Sequence, residues 1–347
     1  MTVTEKLIPV QVTVVECITA SIKRFTLATL DGRALPTFAG GSHVLVQMQQ
    51  GIQRFTNAYS LVSAPDDTRH YQIAVQREEP SRGGSAFMHE QVRVGSTLLI
   101  SAPNNLFALD RRADHHLLIA GGIGITPFLS HLPELAAAKA SYALHYAARG
   151  EEQAGFYAEL QDGPHAAHCH FYLASTGQRL SLQQLMGAQP SGTHVYVCGP
   201  RRLIDGVLAA ARVLELDSHR VHYERFAQAP ASGGEFTLEL RRSGHRLQVP
   251  EGVSILQAIE RANLTQVDCL CREGVCGTCE TPILEGEAEH HDQYLSAEEK
   301  AAQRSMLICV SRARGSRLVL DLRWSRAEGA VCEYQGRLLD PVIVYLT

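Results

Sequence analysis

Cys271-Arg272-Glu273-Gly274-Val275-Cys276-Gly277-Thr278-Cys279 is the stretch on which the reading of this chain turns, and Cys309 answers it far downstream. Written as C-x4-C-x2-C with a distant fourth cysteine, it has the ligand spacing of a plant-type 2Fe-2S centre. A tight loop must aim three sulfurs at one point. Gly274 and Gly277 let the backbone curl close and present N–H groups to sulfur. A centre of this kind moves single electrons. Zinc would pair C-x2-C with a second such pair, or with His at short spacing, and the sequence supplies neither. Cys269 would change the interval to C-x6-C, so it reads as a spare thiol beside the centre. A Rieske centre needs two His ligands on one iron, and there is no Cys-x-His pair. The pattern is that of a chain that delivers electrons, not one that activates oxygen.

The 347 residues suffice for two or three domains, each with its own core. A net charge of -4 argues against a nucleic-acid surface. The longest apolar runs, such as Leu117 to Ala120, are too short to cross a bilayer, and Met1 to Val10 has no apolar leader core. The expectation is a cytoplasmic protein that binds neither membrane nor nucleic acid. Of nine cysteines, most fall in the cluster region or in Cys198-Gly199-Pro200, which leaves little for disulfides.

Residues 1–112 read as an antiparallel β-barrel. Val10 to Val14, Phe25 to Leu27, His43 to Val46 and Tyr71 to Val75 are short apolar or alternating runs, separated by Asp31-Gly32, Gly40-Gly41 and Pro65-Asp66-Asp67. Within them, Tyr59 would lie against a flat ring while Ser60 hydrogen-bonds it. Arg82-Gly83-Gly84-Ser85 would open a helix to about Gln91, where backbone N–H groups and a guanidinium converge on a phosphate. Alone, the first is an ordinary piece of strand and the second an ordinary capped turn. Together, upstream of an iron–sulfur module, they favour a flavin.

Residues 113–228 alternate strand and helix in an open α/β pattern. Leu117 to Ala120 is a buried-type strand, and Gly121-Gly122-Ile123-Gly124-Ile125-Thr126 a glycine-rich turn. Pro127 suits the first position of a helix running to about Lys139. The third glycine of G-x-G-x-x-G is replaced by Pro127, yet a dinucleotide pyrophosphate could still approach the helix start. Cys198-Gly199-Pro200 ends a later strand where a sheet's carboxyl edge meets its ligand. Cys198 there is either a nicotinamide contact or a plain buried thiol. Glu151 and Glu152 would repel a 2'-phosphate, which favours NADH over NADPH, with Arg149 beside them the one opposing charge.

Taken together, the barrel with Tyr-Ser and Arg-Gly-Gly-Ser, then Gly-Gly-Ile-Gly-Ile-Thr-Pro and Cys-Gly-Pro, then a C-terminal plant-type ferredoxin, resemble the phthalate dioxygenase reductase family over about residues 9–322. Within that family, Asn57 to Leu61, Cys269 to Glu280 and Asp292 to Ser296 resemble the reductases of carnitine monooxygenase. The resemblance implies that NADH gives a hydride to FMN, and that electrons pass singly through a 2Fe-2S cluster to a separate Rieske-type oxygenase. It implies Tyr59 and Ser60 as flavin contacts and Arg82, Gly83, Gly84 and Ser85 as FMN-phosphate contacts. Gly122, Thr126 and Cys198 fall on the nicotinamide side, Phe226 covers the flavin, and Cys271, Cys276, Cys279 and Cys309 hold the metal. The family pattern has Arg where this chain has Asn57, with Arg54 the nearest Arg upstream, so Arg82 would carry more of the phosphate's charge.

A plant-type cluster near about -400 mV lies below Rieske centres at roughly -150 to +300 mV, so transfer runs downhill. A flavin converts between hydride and single electrons. That chemistry needs no general acid or base, and none of the 16 histidines is assigned a catalytic role. His115-His116 and His290-His291 read as solvated or structural.

Residues 229–235 read as a linker and 236–322 as a β-grasp ferredoxin domain, with a hairpin around Ser243-Gly244 and a helix from Ser254 to Ala262. Glu280, Glu285, Glu287, Glu289 and Asp292 leave an acidic stretch that would either steer a basic partner or form a solvated face. Residues 323–347, with Trp324, Cys332 and an apolar end, read as an edge strand, an oligomer contact or a packed tail. The leading reading is an NADH-dependent reductase serving an oxygenase of carnitine or a similar quaternary ammonium compound. A reductase for an aromatic-acid oxygenase of phthalate or vanillate type, and a redox-sensing iron–sulfur regulator, are the alternatives.

Overall fold

The computed structural model describes residues 7–50, 53–79, 81, 83–226, 234–262, 264, 267, 269, 271–272, 274–322, 333–334 and 337–338. The chain divides into two compact units, Met1–Met48 with Phe55–Ala227, and Gln49–Arg54 with Gln228–Thr347.

In the first unit, strands β1 (Ile8–Cys17), β2 (Ile22–Thr29), β3 (His43–Gln50), β4 (Gln53–Ser60), β5 (Tyr71–Gln76) and β6 (Thr97–Ile100) line up in the order β4-β3-β6-β1-β2-β5. Their inward side chains, among them Val10, Val12, Phe25, Leu27, Val44 and Ile73, form one core with Met88 of helix α1 (Gly84–Glu90). Beyond β4 the chain turns onto the opposite edge. Leu61 bridges Ile73, and the Val62 N–H donates to Gln72 O at 2.8 Å. Those bonds join the two edge strands and close the expected barrel.

The rest of this unit is a parallel sheet of β7 (His115–Gly121), β8 (Tyr142–Ala148), β9 (Cys169–Leu173), β10 (Thr193–Cys198) and β11 (Val221–Glu224), ordered β11-β10-β7-β8-β9. Helices α2 (Thr126–Ala137), α3 (Tyr157–Asp162), α4 (Leu182–Gly187) and α5 (Arg201–Val213) accompany it. β7 is buried on both faces, as a central parallel strand must be: Leu117 and Ile119 face Val197, Ile204 and Val207, while Leu118 and Ala120 face Phe128 and Tyr196. The second of these cores also takes in Ile22, Val62 and Ala74 from the barrel, so barrel and sheet share packed apolar surface. Arg24 of β2 reinforces the join by pairing with Glu159 of α3 at 2.9 Å.

The second unit is a mixed sheet of β12 (Phe236–Leu240), β13 (His245–Val249), β14 (Glu280–Glu285), β16 (Ser305–Leu307) and β18 (Arg317–Leu320), in the order β13-β12-β18-β14-β16 with β12 and β18 parallel. A small pair, β15 (Ala288–Glu289) with β17 (Arg312–Ala313), and helices α6 (Ile255–Arg261) and α7 (Ala297–Ala302) complete the expected β-grasp. α6 starts where Ser254 Oγ accepts from Gln257 N–H and Gln257 Oε1 accepts from Ser254 N–H, a reciprocal cap that satisfies two otherwise orphaned donors. Its Ile255, Leu256 and Ile259 lie in the core with Leu238, Leu318 and Leu320. Two-residue strands β19 (Glu333–Tyr334) and β20 (Arg337–Leu338) pair near the end of the chain. The linker through residue 233, Trp324, Cys332, the apolar end and Arg82 lie outside the described residues.

Two expectations gain detail. The acidic stretch is a solvated face whose charges are partly paired: Glu285 with Arg317 at 2.7 Å and Glu287 with Arg314 at 3.2 Å, while buried Asp292 lies 3.7 Å from Lys300. Of the paired histidines, His116 stacks on Tyr196 and the His290 side chain is buried beside Asp292, whereas His115 and His291 are partly exposed. Among the described residues no helix is long and apolar enough to cross a membrane.

Candidate functional site

The parallel sheet reverses its winding between β7 and β10, because β8 and β9 extend to one side before the chain returns to the other. Ligands of open α/β sheets lie at the carboxyl ends of the strands at such a point. Here those ends carry the glycine turn and Cys198-Gly199-Pro200, and the two are in contact. A Cβ on Gly124 would sit 2.5 Å from the Cys198 carbonyl carbon and 2.6 Å from Gly199 N. Only glycine permits this approach. A 3-10 turn, Gly122–Ile125, leads into α2, which therefore begins at Thr126 and not Pro127; the Thr126 hydroxyl donates to Ile123 O at 3.0 Å.

Cys198 is fully buried, and burial, followed by the nearby Glu224 carboxylate, pushes its thiol well above the ordinary range. Glu224 stands opposite Cys198 in the β10–β11 register. Burial raises its carboxyl to about 8, and Oε2 has no hydrogen-bond partner among the described residues. A neutral thiol thus faces a carboxyl that keeps its proton at neutral pH. Phe226, half-buried, follows on the same segment and packs against the core shared with the barrel.

On the barrel, Phe55, Asn57 and Tyr59 lie on one side of β4 by alternation. Asn57 Nδ2 donates to Tyr59 Oη at 3.1 Å. The turn before α1 lies against the same face: a Cβ on Gly84 would be 2.6 Å from the Asn57 amide, and one on Gly83 2.6 Å from the Phe55 ring. Asn57, standing where the family pattern has Arg, touches both halves of the expected flavin site. Ser85 Oγ accepts from Glu78 N–H at 3.2 Å and bonds Ser81 Oγ at 3.0 Å. Ser60 is buried, and its Oγ has no partner among the described residues, as suits a hydroxyl reserved for a ligand.

A cleft of about 950 Å³ lies elsewhere, at the carboxyl ends of β8 and β9, lined by Glu151, Glu152, Arg24, Phe156 and Glu159 among others. Its lining is acidic, and the Arg24 guanidinium within it is already paired with Glu16 and Glu159.

In the second unit the loop after α6 brings the cysteines together. The sulfurs of Cys269, Cys279 and Cys309 lie within 4.8 Å of one another. Cys271 hydrogen-bonds Cys276 on one side and Cys309 on the other, and Cys276 Sγ lies 3.1 Å from Thr278 Oγ1. Hydrogen bonds from Cys269 and Cys309 hold the Cys279 thiol well below the ordinary range. Hydrogen bonding to the neighbouring thiols pushes Cys309 and Cys276 up. Several thiolates cannot share so small a volume without cationic charge among them, and an all-sulfur donor set suits iron. The residues fit a 2Fe-2S cluster. The loop is clamped: a Cβ on Gly277 would meet the Tyr294 ring at 2.6 Å, and one on Gly274 would meet Val310 at 2.7 Å.

Residues 238–314 match the 2Fe-2S iron-sulfur cluster binding domain, and residues 99–221 match the N-terminal domain of the dimethylamine monooxygenase subunit DmmA-like family. The carnitine monooxygenase reductase subunit of Escherichia coli K12 is 56% identical over 90% of this chain and 98% of its own length. Its counterpart in Acinetobacter baumannii is 50% identical over 91% and 98%. The crystal structure of phthalate dioxygenase reductase superposes with a TM-score of 0.70 at 33% identity, over 91% of this chain and 98% of that one. The chain belongs to the phthalate dioxygenase reductase family. It is a reductase subunit of the oxygenase systems that this family serves, with an NADH-dependent flavin and 2Fe-2S chemistry. Glu224 is a buried carboxyl beside Cys198 to which the sequence reading assigned no role. Its place in Tyr223-Glu224-Arg225-Phe226 gave no sign of burial.

Proposed function

We propose that this chain is the reductase component of a two-component oxygenase acting on carnitine or a closely similar quaternary ammonium compound, and that it hands electrons from NADH to a Rieske-type oxygenase in the cytoplasm. The observation that carries the reading is an all-cysteine site of 2Fe-2S spacing in the same chain as a switch-point nucleotide site. When bound, FMN turns the hydride of NADH into single electrons and the 2Fe-2S cluster relays them one at a time.

The chain's own residues bind, orient and shield. Residues 1–112 hold FMN, with Tyr59 against its ring, the orphan Ser60 hydroxyl bonding its polar edge, and Gly83, Gly84 and Ser85 about its phosphate with Arg82 supplying charge. Residues 113–228 hold NADH. Gly122 and Thr126 lie beside the nicotinamide, and the Cys198 thiol keeps its proton and gives the ring a small, uncharged floor. Glu224, protonated at neutral pH, adds no negative charge there. Phe226 covers the flavin and excludes water. Cys271, Cys276, Cys279 and Cys309 hold the irons in residues 236–322. No side chain needs to act as a general acid or base, and no nucleic acid or membrane surface takes part.

The test is reconstitution with two purified oxygenases, one that oxidises carnitine and one that demethylates vanillate. NADH consumption that depends on carnitine, at a rate at least tenfold above that with the vanillate enzyme, is the expected result. Equal or preferred service to the vanillate enzyme would remove the carnitine assignment.

A further inference from the structure

The iron–sulfur site holds one sulfur more than a 2Fe-2S centre uses. Four cysteines satisfy both irons, two apiece. Yet five thiols converge here, and their contacts divide them unevenly. Cys276 hydrogen-bonds Cys271, which also reaches Cys309. The mutually close group is of three, Cys269, Cys279 and Cys309, with Cys269 bonded to both of the others. Three sulfurs lie where one iron takes two.

We propose that Cys269 is a reserve ligand for the iron shared by Cys279 and Cys309. If either of those sulfurs is lost, the Cys269 thiol gives its proton to solvent and its sulfur takes the vacated position. One iron–sulfur bond replaces another, and no electron changes hands. The proposal rests on the iron–sulfur reading of the site. It is asymmetric because the loop from Gly274 to Cys279 is pinned by Val310 and Tyr294 and cannot slide another sulfur toward Cys271 or Cys276. Cys269 enters from outside that loop and already lies in contact, half-buried against the core of this unit.

The experiment uses full-length protein purified anaerobically, with iron and acid-labile sulfide assayed per chain and the reduced cluster examined by electron paramagnetic resonance. Cys309→Ala and Cys279→Ala are each expected to keep about two irons per chain, with shifted g values. Adding Cys269→Ala to either should empty the site. Cys276→Ala should lose the cluster with Cys269 present, and Cys269→Ala alone should keep the parent's iron content and spectrum. In Cys309→Ala holoprotein, Cys269 should resist iodoacetamide until the iron is chelated, a readout by peptide mass that does not depend on activity. The proposal is overturned if both single variants lose iron as fully as the doubles while circular dichroism shows the parent fold. It is equally overturned if the doubles stay loaded, if Cys269→Ala alone loses the cluster, or if Cys269 in the loaded Cys309→Ala protein alkylates freely. A parent protein without iron would instead bring down the iron–sulfur reading beneath it.

Discussion

Gly124→Ala tests the nucleotide site at its narrowest point. The added methyl would lie 2.5 Å from the Cys198 carbonyl carbon and 2.6 Å from Gly199 N. Non-bonded carbons rest at about 3.5–4.0 Å, so one of the two loops must retreat by roughly 1 Å. Neither is free to do so cheaply. Gly199 is itself against Gly121, where a Cβ would find backbone at 3.0 Å, and α2 is anchored by buried Phe128 and Leu132. Overpacking of this kind costs about 1–3 kcal/mol. A misplacement of about 1 Å at a reacting centre costs on the order of 100-fold in rate, equivalent to about 2.7 kcal/mol. Stopped-flow reduction of the flavin by NADH should show kcat/KM falling by about that factor. Flavin content, iron content and reduction of the cluster by dithionite should stay at parent levels, since the barrel's ligand residues and the second unit are untouched. A correctly folded Gly124→Ala protein with kcat/KM for NADH within about twofold of the parent would refute the placement of the nicotinamide between these loops.

Three further outcomes follow from the same geometry. Cys276→Ala should abolish the cluster's visible absorbance and electron delivery to the oxygenase while flavin reduction by NADH stays within about twofold; unchanged delivery would contradict the relay. Burial pulls the fully buried His131 from 6.5 to about 4, so the unfolded chain binds the extra proton. Stability should therefore fall as pH drops from 6.5 toward 4, by up to about 3 kcal/mol from this residue. Thermal melts should show His131→Asn flattening that slope, and an equally steep slope in the variant would count against it. Glu224, raised to about 8, makes the opposite contribution: its stability is fully present below 4.5 and is lost as pH rises through 8. Glu224→Gln should melt above the parent at pH 8 and level with it at pH 4.5, and should retain NADH turnover at pH 7. Loss of turnover at pH 7 would show that the ionised carboxylate is needed.

Covalent spacing made the cluster loop legible: C-x4-C-x2-C names its chemistry before any fold is known, and the β-grasp around it obeys ordinary hairpin and capping rules. The glycine turn was legible for the same reason, although α2 begins at Thr126 because a 3-10 turn tightens the approach to it. Tertiary pairing stayed hidden. Glu224 reads locally as one more surface carboxylate, and only the parallel register of β11 on β10 sets it against Cys198. The barrel's closure depends on Leu61 meeting Ile73, a contact that no local pattern announces. The acidic stretch after Glu280 is the solvated face that was one of its two readings, but the arginines that balance it, Arg314 and Arg317, come from later in the chain and could not be matched to it by sequence. Cys269 looked spare by spacing, and it takes the folded loop to set its sulfur beside Cys279 and Cys309.

The central claim is an electron route contained in one chain, and anaerobic visible titration with NADH tests it most directly, with flavin and iron measured on the same sample. The account predicts about one flavin and two irons per chain, with the flavin and the cluster both bleached by NADH. A protein without flavin, or one whose cluster responds only to dithionite, would contradict it.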